Sequence, residues 1–149
     1  MPKSLFEPQV FQELSARIDK LNANSSPQWG KMNVEQMLNH CSAQMQILLG
    51  EKELKSNFLL RLFGKFIKKK ILSGAPTRKN SPTAKELLPS NVQSFDQEKA
   101  KTLALMQKMV QRQASFEGYK HPFFGTMTAD ECGKITWNHL DYHLGQFNV

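Results

Sequence analysis

The sequence is poor in cysteine. Cys41 and Cys132 are the only two in 149 residues and form no CxxC pair, which excludes a disulfide scaffold, a zinc finger and a thioredoxin-type redox motif. Long hydrophobic runs are missing as well, and no stretch approaches the roughly 20 apolar residues that span a bilayer. The opening MPKSLFEPQV meets Glu7 and Pro8 before an apolar region can develop, so no secretory signal is read and a cytoplasmic location is expected. There is neither an internal repeat nor a low-complexity tract. With 40% hydrophobic and 22% charged residues, the composition is that of one globular domain over residues 1–149, long enough to bury a core without disulfides or a structural metal.

Acidic residues are absent from one stretch. Between Leu54 and Lys85 there are nine basic residues and no acid, while the rest of the chain has eleven basic against thirteen acidic, so the net charge of +7 is a local property. Such a segment can hold phosphates or anionic headgroups, or it can be the solvated face of a helix. The second reading is preferred. Phe58, Leu59, Leu62, Phe63, Phe66, Ile67 and Ile71 fall on one broad face opposite Arg61, Lys65, Lys68 and Lys69, which predicts a buried amphipathic helix, continuous or with a break at Gly64, with its lysines in water. On that reading Phe58, Phe63 and Phe66 are turned inward and cannot stack on nucleic-acid bases.

Five helical stretches are predicted. Pro8 opens the first, with Val10, Phe11, Leu14, Ile18 and Leu21 at helical spacing. Asn33 and Gln36 form a capping box for the second, which runs from Val34 to about Leu49 and stops at Gly50. The third is the basic amphipathic segment. A proline-rich connection over residues 73–92 follows, expected to be variable and to lie over the bundle. Ser94 and Gln97 cap the fourth, whose Ala100, Leu103, Met106, Met109 and Val110 define a stripe reaching to about Phe116. After the loop EGYKHPFFG, Thr128 and Glu131 cap the fifth, in which Gly133, Trp137, Leu140, Leu144 and Phe147 share a face. Apolar stripes of this kind are buried only against one another, so the fold class is all-α, a helical bundle. The methionines at 37, 45, 106 and 109 are read as adaptable core filler.

The histidines carry the chemistry. His139 and His143 are four apart in the last helix, about 40° apart around its axis, so both imidazoles can reach one ion. His40, in the second helix and at the edge of its apolar stripe, is the candidate third ligand. Three neutral nitrogens suit Zn, Ni, Fe or Cu, and without a matching carboxylate the sequence does not choose. The alternative for the pair is an ordinary surface or capping role. The residues between them are Leu140, Asp141 and Tyr142, so there is no HExxH glutamate and a zincin-type protease is excluded.

The segments WGKMNVEQMLNHC around His40 and HPFFGTMTADECGKITWNHLDYHLGQF at the C-terminus resemble the DinB/YfiT-like superfamily of metalloenzymes, in a branch named as a domain of unknown function. The resemblance covers nearly the whole chain. It implies a four-helix bundle, with an additional short helix or long connection, that binds a divalent metal, commonly nickel or zinc, through His40, His139 and His143. Some members of that superfamily transfer a low-molecular-weight thiol such as bacillithiol, mycothiol or glutathione. The implied function is therefore a metal-dependent thiol S-transferase or hydrolase acting on a small-molecule substrate, with the catalytic residues unassigned. A non-catalytic metal-binding bundle, and binding of an anionic surface or nucleic acid through residues 54–85, are the alternatives. No membrane span and no nucleic-acid partner are expected, and a homodimer is allowed. His121 is expected to cap or pack rather than to join the triad. Cys41 and Cys132 are not expected to be nucleophiles. Trp137, Asp141 and Gln146 are the residues nearest in sequence that can support the site. Metal binding is expected to weaken below roughly pH 6, near the ordinary histidine pKa.

Overall fold

The protein is described by a computed structural model covering residues 1–149. It is a helical bundle of five helices with one small hairpin: α1 (Pro8–Asp19), α2 (Val34–Leu48), α3 (Phe58–Leu72), α4 (Phe95–Gln111), β1 (Tyr119–His121), β2 (Gly125–Met127) and α5 (Ala129–Gln146). No helix is long and apolar enough to cross a membrane.

The helix starts follow from local chemistry. Pro8 stands in the first turn of α1, where its missing N–H leaves no hydrogen bond unmade. Asn33, Ser94 and Thr128 each accept a hydrogen bond from the backbone three residues on, and Gln36, Gln97 and Glu131 answer the cap residue's own N–H. These three reciprocal boxes set where α2, α4 and α5 begin. Each satisfies two backbone donors that the helix itself cannot.

Helices α1, α2, α4 and α5 close around a core of 22 buried hydrophobic residues, among them Leu14, Ile18, Met37, Leu38, Met45, Met106, Met109, Leu140 and Leu144. The four expected methionines are all in it. No residue of α3 belongs to that core; only Ile71 and Leu72 touch it. Residues 73–94 cross the bundle with a single 3₁₀ turn, Lys85–Leu87.

Four expectations are corrected. First, the apolar face of α3 is turned outward: Phe58, Leu59, Leu62, Phe63 and Phe66 are exposed, as are Arg61, Lys65 and Lys69, the last within that face and not opposite it; Ile71 alone of the face touches the core, and Gly64 is the buried residue of the helix, which runs through it unbroken. The reason is steric and electrostatic. A Cβ at position 64 would stand 1.8 Å from the Phe123 carbonyl oxygen, so the absence of a side chain makes this face the one that packs. Lys68 completes that face, its ammonium donating to the Thr126 carbonyl and pairing with Glu131, both at 2.8 Å. Second, the buried stripe of α4 is Glu98, Thr102, Leu105, Met106 and Met109, leaving Ala100 exposed and Leu103 half-buried. Two polar residues are drawn in because partners wait for them: Thr102 bonds Ser42 and the Leu38 carbonyl, and Glu98 accepts from Asn39. Third, α4 ends at Gln111 and continues as a 3₁₀ turn, Gln113–Phe116. Fourth, the loop before α5 closes into an antiparallel hairpin in which Tyr119 faces Met127 and His121 faces Gly125.

Candidate metal centre

Helices α2 and α5 lie side by side, as their histidine-bearing edges require, and bring His40, His139 and His143 together. His139 Nε2 is 2.9 Å from His40 Nε2. The three rings stand 4.6–4.7 Å apart, centre to centre, in every pairing. One ring nitrogen from each lies within 4.8 Å of the other two. Nitrogens bound tetrahedrally to one ion at about 2.0–2.1 Å are about 3.3 Å apart, so small side-chain rotations bring these three to the separation an ion requires. His40 and His143 are buried and His139 is partly so.

The orientation of two of the rings is fixed by the protein. His40 Nδ1 lies 2.7 Å from the Leu87 carbonyl oxygen. A carbonyl only accepts, so Nδ1 carries the proton and Nε2 presents its lone pair to the cluster. His143 Nδ1 lies 2.9 Å from Gln146 Oε1, while Gln146 Nε2 donates to the Trp29 carbonyl at 2.6 Å. That second bond tells the amide's oxygen from its nitrogen, and His143 Nδ1 is thereby a donor too. The bare Nε2 of His40 in turn accepts from His139 Nε2. His139 Nδ1 is enclosed without a partner.

These supports rest on further contacts. Asn39 holds the crossing segment at both of its amide atoms, donating to the Ser90 carbonyl and accepting from the Ser90 N–H. This clamp sets the Leu87 carbonyl over His40. Glu98, fully buried, accepts from Asn39 and from the Gln93 N–H. Gly30 makes room for Gln146: its φ is +86°, and a Cβ there would stand 2.3 Å from Gln146 Nε2. The Trp29 indole N–H donates to the Tyr142 hydroxyl, and Lys79 lies 4.1 Å over the Trp29 ring.

Burial holds the imidazoles neutral. It lowers His40, partly opposed by the bond to Leu87; it lowers His143 to about 4, with the His40 charge adding to the effect; and it takes His139 well below the ordinary histidine value, its two neighbours adding repulsion. These shifts place protonation of the cluster below the ordinary histidine range on which the expected onset near pH 6 was based.

The remaining sequence candidates lie outside the cluster. His121 packs, as expected, at the end of β1. Its Nδ1 accepts from the Phe123 and Phe124 N–H groups at 3.0 and 3.1 Å, and its ring stacks on Phe124. Asp141 pairs with Arg17 at 2.6 Å, so it is not directed at the histidines. Trp137 is half-buried against the core with its indole nitrogen unpartnered. Burial pushes the Cys41 thiol up and the Cys132 thiol to about 12, which leaves neither as a nucleophile at neutral pH. Leu87, Asn39 and Gly30 were not anticipated. Asn39 and Gly30 lie inside the segment quoted around His40, and Leu87 ends the stretch KNSPTAKEL, which shares the same resemblance.

Among known families, the model of one described as protein of unknown function (DUF1569) matches residues 7–149. No curated protein and no solved structure matches significantly.

Proposed function

The chain belongs to the DUF1569 family, and from that membership together with the site geometry we propose that His40, His139 and His143 bind one divalent metal ion, zinc or nickel, in an enzyme of the DinB/YfiT-like type. One observation carries the reading: three imidazoles from two helices converge, and the Nδ1 atoms of His40 and His143 are spent on Leu87 and Gln146, which leaves the Nε2 atoms of both without a proton. Neutral, nitrogen-only donors suit these borderline metals better than calcium or magnesium.

Three protein ligands leave coordination positions open. A divalent ion held there supplies Lewis acidity, which polarises a small-molecule substrate or stabilises a thiolate at neutral pH. The chain's own residues fix the donors, exclude protons from them by burial, and keep water from two of the three rings. With both cysteines buried and raised, the chain supplies no nucleophilic sulfur of its own. Hence the preferred reaction is transfer of an external low-molecular-weight thiol to a small electrophile, with hydrolysis second. The burial of His40 and His143 is the observation that favours a non-catalytic metal-binding bundle as the other reading.

The test is elemental analysis of protein purified without a metal-binding tag. About one zinc or nickel per chain is expected, lost in the His139→Ala/His143→Ala variant while the helical circular-dichroism signal persists, because the core does not depend on the ion. Stoichiometric metal retained by that variant would overturn the site. For the reaction, the metal-loaded protein should accelerate consumption of an electrophile by glutathione or bacillithiol. No acceleration by the loaded protein, with the metal present, favours the non-catalytic reading.

A further inference from the structure

Seven of the ten exposed large hydrophobic side chains in the protein are on α3. Phe58 is 79% exposed, Phe66 70% and Leu62 61%. At 100° per residue Phe58, Leu62, Phe66, Leu59 and Phe63 fill an outward arc of about 140°. Their combined area is on the order of several hundred Å², the size at which an apolar patch marks an interaction surface. The helix is not loosely placed with this face out by accident. Its inner side is locked by the Gly64 contact with the Phe123 carbonyl and by the Lys68–Glu131 pair.

The charges around the patch say what covers it. Lys69 and Lys70 rise from the last turn of the same outward arc, Arg61 and Lys65 border it, and all four are exposed. Beside it runs an open groove of about 630 Å³ lined by Lys65, Lys68, Lys69, Ser73 and Thr126, with Glu131 already engaged by Lys68. No carboxylate lies anywhere between positions 54 and 85. A second copy meeting this face with its own would set lysine against lysine with no acid to answer. Nucleic acid would match the charge but leave the leucines without a partner. A surface that is both anionic and apolar satisfies both sets of residues at once.

We propose that α3 is an interfacial anchor that docks the protein on anionic phospholipid, its phenylalanines and leucines entering the boundary of the acyl chains and Arg61, Lys65, Lys69 and Lys70 reaching back to the headgroup phosphates. The helix lies in the plane of the surface and does not cross it. Attraction to anionic lipid at about fivefold in binding per basic residue makes the charge contribution measurable, and the apolar contribution falls with each phenyl ring withdrawn from water.

The experiment is co-sedimentation of the full chain with vesicles of phosphatidylserine and phosphatidylcholine in equal parts, against vesicles of phosphatidylcholine alone. Binding to the first and little to the second is expected. Lys65→Gln/Lys69→Gln/Lys70→Gln should weaken it about a hundredfold, and Phe63→Ser/Phe66→Ser about tenfold or more. Because these side chains are exposed, both variants should keep the wild-type circular-dichroism spectrum. As a readout that removes nothing, Leu62→Trp should show a blue-shifted indole emission on adding the anionic vesicles. Absence of binding to anionic vesicles overturns the proposal, as does equal binding to both compositions or binding indifferent to the lysine substitutions. So does a dimer in solution that Phe63→Ser/Phe66→Ser dissociates while no vesicle is bound, or retention of single-stranded DNA with no vesicle binding.

Discussion

Lowering the pH should destabilise this protein through a histidine that has no part in the proposed metal site. His121 Nδ1 accepts two backbone N–H groups, from Phe123 and Phe124, and a proton on that nitrogen would abolish both bonds. Burial, with the Lys68 charge adding to it, lowers His121 to about 4, against about 6.5 in an unfolded chain. The folded state thus refuses a proton that the unfolded state takes up. The contribution of His121 is complete above pH 6.5 and is lost as pH falls towards 4, at about 1.4 kcal/mol per pH unit, or about 3 kcal/mol in all. His40, His139 and His143 act in the same direction, so the wild-type curve alone does not isolate it. His121→Asn does, because an amide oxygen can accept from the same backbone groups but does not titrate. Urea unfolding in EDTA, from pH 7.5 to 5, should show the two proteins within about 1 kcal/mol of each other at the upper end. By pH 5 the wild type should have lost about 2 kcal/mol more than the variant. Parallel stability curves would refute the argument, since they would mean that His121 takes up its proton equally in both states.

Three other outcomes are expected. Gly30→Ala forces Gln146 away from the Trp29 carbonyl and should weaken metal binding by about 10–100-fold, the usual effect of losing an outer support of a ligand; a chelator competition titration reads this directly, and unchanged affinity would mean that Gln146 does not orient His143. Metal should remain bound at pH 5.5, well below the ordinary histidine pKa, and be released as pH approaches the value of about 4 set for His143; loss already complete at pH 6 would contradict the burial argument. Both thiols should be silent towards an aromatic disulfide reagent at pH 8 in the folded protein and react fully in denaturant, and a fast-reacting native thiol would be inconsistent with the burial of Cys41 and Cys132.

The parts legible in the sequence were those written in short-range chemistry. Capping pairs three residues apart fixed the starts of α2, α4 and α5, and the four-residue spacing of His139 and His143, with His40 on another stripe edge, sufficed to nominate the cluster. Face assignment was less legible. The period of α3 marks an apolar arc, but not whether that arc meets the bundle. That choice depends on a missing Cβ at Gly64 and an ion pair to Glu131, 63 residues beyond Lys68. Likewise the stripe of α4 was read from its apolar residues alone. Glu98 and Thr102 are buried where Asn39 and Ser42, about 60 positions away, bond one carboxylate oxygen of Glu98 and the Thr102 hydroxyl, and no local pattern announces that.

Two of the supports for the histidines are main-chain carbonyls, of Leu87 and of Trp29. Such groups survive almost any change of side chain, so an alanine scan would pass over position 87 and report it as dispensable. What the carbonyl does depend on is its place along the chain, three residues before the Ser90 that Asn39 grips. Lengthening a loop ordinarily costs little, and residues 75–83 should absorb an inserted glycine without loss of the site. The same glycine placed between Leu87 and Ser90 would carry the carbonyl out of register with His40. Within one connection, then, tolerance to added length should change abruptly, and that boundary marks where a surface crossing becomes part of the histidine cluster's support.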